Sequence, residues 1–283
     1  MNRLLSLNRL RWYARLPIKW IVFGLTVLAV CFPYPHRLVR HVQHWRDPNA
    51  LIEPDAPAIQ PFVEELRHRL TDDLAPPEAL KRVEQFVYEK VPYEWDWNTW
   101  GTADYLPTVT ETIEMGKEDC DGRAVVAASL LRNFGFEAQL VTDFAHVWVM
   151  TDQGETMGPG KKKAVVATER GLRVNTDALG ELPKALVHGV AVFPLLRELI
   201  ILSVMWLLLL RRNGGAICSL VALALFLGGL FVLRVGGKGY YHPAFWMQWV
   251  GFGSLATGFV LLFVWASYNA RRSERASALL YLN

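Results

Sequence analysis

Two kinds of hydrophobic pattern divide this chain. Near-continuous apolar runs occupy residues 18–34 (IKWIVFGLTVLAVCFPY), 193–210, 216–233 and 244–268. A membrane-spanning helix needs roughly 20 apolar residues, so these runs predict one N-terminal and three C-terminal spans. The first is short, but Leu16 and Trp20 extend it and Lys19 can reach the interface along its apolar stem. Arg3, Arg9, Arg11, Arg15 and Lys19 lead into it and no small-residue cleavage site follows, which predicts a retained signal anchor.

Between the first run and the second the pattern becomes periodic. Residues 61–70 place Phe62, Leu66 and Leu70 on one helical face, and residues 77–91 do the same with Leu80, Val83, Phe86 and Val87. Both begin at proline, which suits a first helical turn. Residues 93–108, YEWDWNTWGTADYLPT, are aromatic yet too rich in Gly and Asp for a core strand. They read either as a loop lining a cleft or as aromatics at a membrane interface. An amphipathic helix is expected from Cys120 until Gly135, with Val125, Ala128, Leu130 and Leu131 inward. Residues 138–151 read as two short strands around Asp143, with His146, Trp148 and Met150 on one face and Val147 and Val149 on the other. A turn at Asp152-Gln153-Gly154 leads to a further strand at 155–159.

Composition agrees with this mixture. The chain is 52% hydrophobic and 20% charged with a mean hydropathy of +0.17, too apolar for an ordinary soluble domain and too charged for membrane helices alone. A net charge of +3 without any long basic run excludes a nucleic-acid partner. The placement of charge is more informative. Counting spans from a basic N-terminus inside puts Arg211–Arg212 and Arg271, Arg272 and Arg275 on that same side, as the positive-inside rule requires. The expected organisation is therefore residues 1–34 as basic terminus and first span, 35–60 as a linker, 61–188 as an extracytoplasmic domain, and 189–283 as three spans with a basic tail. Arg197 and Glu198 are expected to pair at the membrane interface, and His36, His41 and His44 to be solvated. Ser254 and Gly258 have a spacing suited to helix packing.

The candidate chemistry lies in the middle segment. Of Cys31, Cys120 and Cys218, only Cys120 falls outside the apolar runs, with neither a disulfide partner nor metal-ligand spacing. The run Glu118-Asp119-Cys120-Asp121-Gly122 places it in the first turn of a helix, where unpaired N–H groups favour a thiolate. Asp119 and Asp121 oppose that effect, so a base is needed. A histidine on a strand packed against that helix would supply one, and His146 is the candidate.

Residues 83–151 resemble the transglutaminase-like superfamily of papain-related folds. The resemblance rests on Tyr93, on Thr108-Val109-Thr110-Glu111-Thr112-Ile113 and Gly116, on Asp119-Cys120 opening a small-residue helix, on Gly135-Phe136, and on His146-Val147-Trp148-Val149, in that order. It implies an α+β domain of helices packed on an antiparallel sheet, here inserted between the N-terminal span and the three C-terminal ones. It also implies that Cys120 is a nucleophile toward a carbonyl carbon and His146 its general base and then acid. The family's third residue, an Asp on the next strand, would fall near Met157 or Gly158. Glu155 is the nearest substitute. Trp100, Asp121 and Trp148 are expected around the substrate, with Trp100 assisting an oxyanion hole. The expected activity is acyl transfer on a peptide or protein amide in a bacterial cell envelope, by hydrolysis or transamidation, without cofactor or metal. The expected location is the inner membrane, in contact with its lipid. A non-enzymatic binding or scaffold module of the same fold is the alternative.

Overall fold

The computed structural model describes residues 12–70, 74–158, 163–168, 171–210, 216–239 and 245–280. Arg3, Arg9, Arg11, Arg211, Arg212 and Pro159, which entered the expectations above, lie outside the described residues. The chain divides into two compact units, Phe32–Ala185 and, from both ends of the sequence, Met1–Cys31 with Leu186–Asn283. Helix α1 (Trp12–Cys31) belongs to the second of these.

The unit Phe32–Ala185 is mainly helical before Asn133 and mainly strand after it. Its helices are α2 (Pro35–Arg46), α3 (Gln60–Arg67), α4 (Pro76–Lys90), the single turn α5 (Asp96–Thr99), α6 (Val109–Met115) and α7 (Cys120–Asn133). Proline near the start of α2, α3 and α4 lacks an N–H where none could be bonded anyway. Strands β1 (Ala138–Thr142), β2 (Val147–Thr151), β3 (Gly154–Thr156), β4 (Val165–Thr168) and β5 (Gly171–Val174) form one antiparallel sheet in the order β3-β2-β1-β4-β5. In the β1–β2 hairpin Val141 faces Trp148, and Met150 of β2 faces Glu155 of β3. The strands are short and rich in Val, which fits a half-buried pleated surface.

Helix α7 lies at the centre of this unit. The amphipathic helix expected from the sequence is instead buried on every side from Ala124 to Leu131. The cause is its small-residue composition: β1 and β2 cover one flank, while α3, α4 and α6 cover the others. Residues 35–60, expected as a linker, carry α2 and two 3-10 turns. Their Leu51, Ile52, Ala56 and Ile59 join the same core as Phe86, Leu130 and Trp148. His41 and His44 also depart from the solvated role expected of them. The Leu106 N–H donates to His41 Nδ1 at 3.1 Å, while His44 Nδ1 bonds the Leu106 carbonyl at 2.6 Å, so the two rings clasp the backbone of one residue.

In the other unit, α8 (Leu182–Val192, from Leu186 onward), α9 (Leu195–Leu209), α10 (Ala216–Gly236) and α11 (Phe245–Leu280) follow. Among the described residues, α10 and the stretch Trp246–Trp265 of α11 are each long and apolar enough to cross a membrane. Helices α1 and α9 pass the combined test of length and composition only when counted with a neighbouring helix across a bend, so two spans of the four expected stand by that test. Small residues let α10 and α11 approach closely. A Cβ on Gly229 would stand 3.0 Å from the Gly251 carbonyl, one on Gly258 would meet Phe226 at 3.0 Å, and Ser254 Oγ donates to Leu225 O at 2.9 Å. Glu198 pairs with Arg234 at 2.5 Å.

Candidate active site

Three local devices deliver Cys120. Helix α6 opens on a capping box, with Thr108 Oγ1 accepting from Glu111 N and Glu111 accepting from Thr108 N, and stops at Gly116, whose φ of +70° disfavours other residues. The chain then runs beside residues 92–94: Glu118 N donates to Pro92 O at 3.0 Å and Glu94 N to Glu118 O at 3.2 Å. Asp119 finally caps α7 by accepting from Asp121 N, which makes Cys120 the first residue of that helix. Gly122 is required by packing. A Cβ there would stand 2.1 Å from Glu118 Cγ and 2.8 Å from Pro107.

The histidine arrives on the β1–β2 hairpin. Asp143 Oδ1 accepts from Ala145 N at 3.2 Å and His146 N at 3.1 Å, an Asx turn that closes the loop over a left-handed Phe144 (φ +78°). His146 thus immediately precedes β2, and the backbone N–H of the next residue, Val147, bonds the Cys120 sulfur. Helix start and strand start meet at that contact. His146 Nε2 lies 2.9 Å from the Met157 carbonyl, and its ring stacks on Trp148 with centroids 6.2 Å apart. A carbonyl only accepts, so Nε2 carries a proton, and in the neutral ring Nδ1 is the atom with the lone pair. Met157 holds φ +64°, and Gly158 lies so close under Trp148 that a Cβ would meet it at 2.2 Å.

The other residues expected at the site take these places. Glu155 accepts from Trp148 Nε1 at 2.9 Å and pairs with Lys163 at 2.5 Å, so it orients the ring stacked on His146 and not the imidazole itself. Trp148 is fully buried. Trp100 is also buried, and its indole N–H donates to both Glu118 oxygens, at 3.1 and 2.9 Å. Asp121 is buried with Oδ1 accepting from Gly122 N at 3.0 Å. Sequence reasoning gave no site role to Asp143, Gly122, Asp96 or Glu118, and near Met157 it looked for a side-chain carboxylate. Asp143 carried a turn signal, whereas the Met157 contact is made by the main chain and leaves no trace in residue type.

The electrostatics around the sulfur are dominated by acid. Burial, then the Asp119 charge, push the Cys120 thiol well above its ordinary range, and the Val147 N–H only partly offsets them. The same two causes raise Glu118 to about 8 and also raise Asp121 and Asp96. The resting thiol is therefore neutral.

Residues 60–165 match the family model of the transglutaminase-like superfamily, a stretch that contains Cys120, His146 and Met157. No curated protein and no solved structure matches the chain.

Proposed function

We propose that the transglutaminase-like domain at residues 60–165 is a cysteine acyl-transfer module acting on an amide or peptide of the bacterial cell envelope. In this reading α1 and α9–α11 hold it on the extracytoplasmic side of the inner membrane, with one N-terminal and three C-terminal spans. The observation that carries the reading is the meeting of two halves: Cys120 at a helix start bonded by the Val147 N–H, and His146 oriented through Nε2 by the Met157 carbonyl.

The chemistry follows from those contacts. His146 Nδ1 takes the Cys120 proton as sulfur attacks the substrate carbonyl carbon, and a C–S bond forms. The amide C–N bond then breaks while the imidazolium returns its proton to the leaving amine, giving a thioester. Water resolves that thioester to a carboxylic acid, or a second amine resolves it to a new amide, and the thiol is restored. An orienting group fixes the tautomer of the base and steadies the cation that forms. The Met157 carbonyl does the first fully and the second only as a dipole, so turnover is expected to be slow.

The test uses the full-length protein in detergent, with a glutaminyl peptide and hydroxylamine as acceptor and hydroxamate as readout. Activity is expected in the wild type, absent in Cys120→Ala, and lowered by about 100-fold or more in His146→Ala. Iodoacetamide, followed by mass spectrometry at near-neutral pH, is expected to label Cys120 more slowly in His146→Ala. A second reading, a binding module that retains the fold without the chemistry, is favoured by the acidic surroundings of Cys120. Absence of hydroxamate together with identical labelling in wild type and His146→Ala would establish that second reading.

A further inference from the structure

We propose that the outer face of α2 lies in the headgroup layer of a phospholipid bilayer, with Val39 and Val42 turned into the lipid. This placement rests on the reading of α1 as a membrane span. The two sides of α2 differ in kind. Arg37, His41, His44 and Trp45 recur at the spacing of one helical stripe, and all four are engaged with the domain. Arg37 donates to the Trp100 carbonyl, the two histidines hold the Leu106 backbone, and Trp45 packs against the core. Pro35, Val39, Val42 and Arg46 make a stripe on the other side, and all four are exposed, Val39 by 55% and Val42 by 47%. The inner side thus fixes the helix, and the outer side is left to its surroundings.

Two exposed valines are by themselves ordinary surface. Position in the chain and charge give these two a meaning. The apolar run 18–34 ends at Tyr34, so α2 begins one residue beyond it. From Cys31, the last residue of α1, to Pro35 an extended chain reaches at most about 14 Å, which keeps the start of α2 near the edge of the hydrocarbon. Entry into the hydrocarbon itself is opposed by composition, since three arginines and three histidines stand among the 12 residues of the helix. The remaining place is the interface between lipid and water.

The charges suit that place. No Asp or Glu accompanies the basic residues of α2, so the helix complements phosphate. Arg46 ends the exposed stripe, and His36 and Arg40 flank it. Arg40 meets Glu111 at 2.8 Å yet keeps 49% of its side chain exposed. Tyr34, 46% exposed just before the helix, is of the residue type that gathers at membrane interfaces. A short apolar stripe with a basic rim, tethered to the end of a span, is the arrangement of a helix lying in the interfacial plane. A second copy meeting α2 through the same face would instead set arginine against arginine.

The experiment uses the full-length protein in nanodiscs of phosphatidylcholine and phosphatidylglycerol in equal parts. Benzoylphenylalanine replaces Val39, Val42, Leu25 of α1 or Tyr88 of α4, one position at a time, and phospholipid adducts are read by mass spectrometry after irradiation. All four side chains are exposed, so the replacements leave the buried core intact. Adducts at Val39 and Val42 are expected at a level comparable with Leu25 and several-fold above Tyr88. Val39→Glu and Arg46→Glu are each expected to lower the adduct at position 42 several-fold. Adducts at Leu25, but no more at Val39 and Val42 than at Tyr88, would overturn the proposal and leave the span standing. Adducts to a second copy of the chain in place of lipid would overturn it in favour of a homodimer face. Absence of lipid adducts at Leu25 itself would overturn the span reading and this placement with it. Hydroxamate formation is not read in any arm, so failure here is distinguishable from failure of the acyl-transfer reading.

Discussion

Glu198 in the helical unit and Glu118 beside Cys120 are both acids taken out of water, 8% and 0% exposed. Arg234 meets Glu198 at 2.5 Å and also donates to the Val190 and Phe193 carbonyls, so that charge is paired and its partner is itself anchored. Glu118 receives the neutral Trp100 indole N–H and the Asp119 backbone N–H, and its remaining neighbours include the acids Asp96, Asp119 and Asp121. The first arrangement is complete within the chain. The second is complete only with added protons, shared between neighbouring carboxyls. Buried polarity is thus evidence of function only after its partners have been counted, because a closed pair holds structure whereas an open one marks a site.

That contrast can be broken most sharply at the closed end. Arg234→Ala would leave Glu198 buried without its cation, and a loss of about 3–5 kcal/mol is expected, read by denaturant unfolding in detergent. Replacing both, Arg234→Met with Glu198→Leu, is expected to recover most of it. An Arg234→Ala protein of unchanged stability would show that the pair is not structural.

His41 offers an intermediate case, a buried base kept neutral. Burial, and then the charge of His44, hold it down at about 4 against an ordinary 6.5, with Asp104 3.7 Å away and the Leu106 N–H occupying Nδ1. Above 6.5 both folded and unfolded states are neutral there and the stability is full. As pH falls from 6.5 toward about 4 the unfolded chain binds a proton that the folded one refuses, so stability is lost through that window. The expected loss from this group is on the order of 3 kcal/mol at most, measured as melting temperature against pH. His41→Gln keeps an acceptor for Leu106 and is expected to flatten the profile.

The smallest effect is expected at Glu155. Its ion pair with Lys163 is partly exposed, and Glu155→Gln retains an oxygen for Trp148. Stability should change by less than about 1 kcal/mol, and hydroxamate formation far less than in His146→Ala. A collapse of activity in Glu155→Gln would instead make this carboxylate the orienting group.

Much of the domain's framework was legible because it depends on local rules. Prolines marked the starts of α3 and α4, Asp143 marked the hairpin turn, and Asp119-Cys120 marked the start of α7. What stayed hidden depends on distant or main-chain partners. The full burial of α7 needs neighbours on all flanks, which a single helix's periodicity does not record. Asp96 reaches Glu118 only through the bridge at residues 92–94 and Glu118, and Arg234 reaches Glu198 across two helices. Glu155 looked like the natural partner of His146 by position, but Trp148 takes it first.

The carbonyl that holds His146 comes from the main chain at Met157. Every codon supplies a carbonyl, so no exchange of side chain at that position can delete the acceptor. The hereditary weak point moves one place along, to Gly158, where any side chain would collide with Trp148 and turn the peptide away. A tally of substitutions would therefore find the partner of this histidine at a glycine that never touches it.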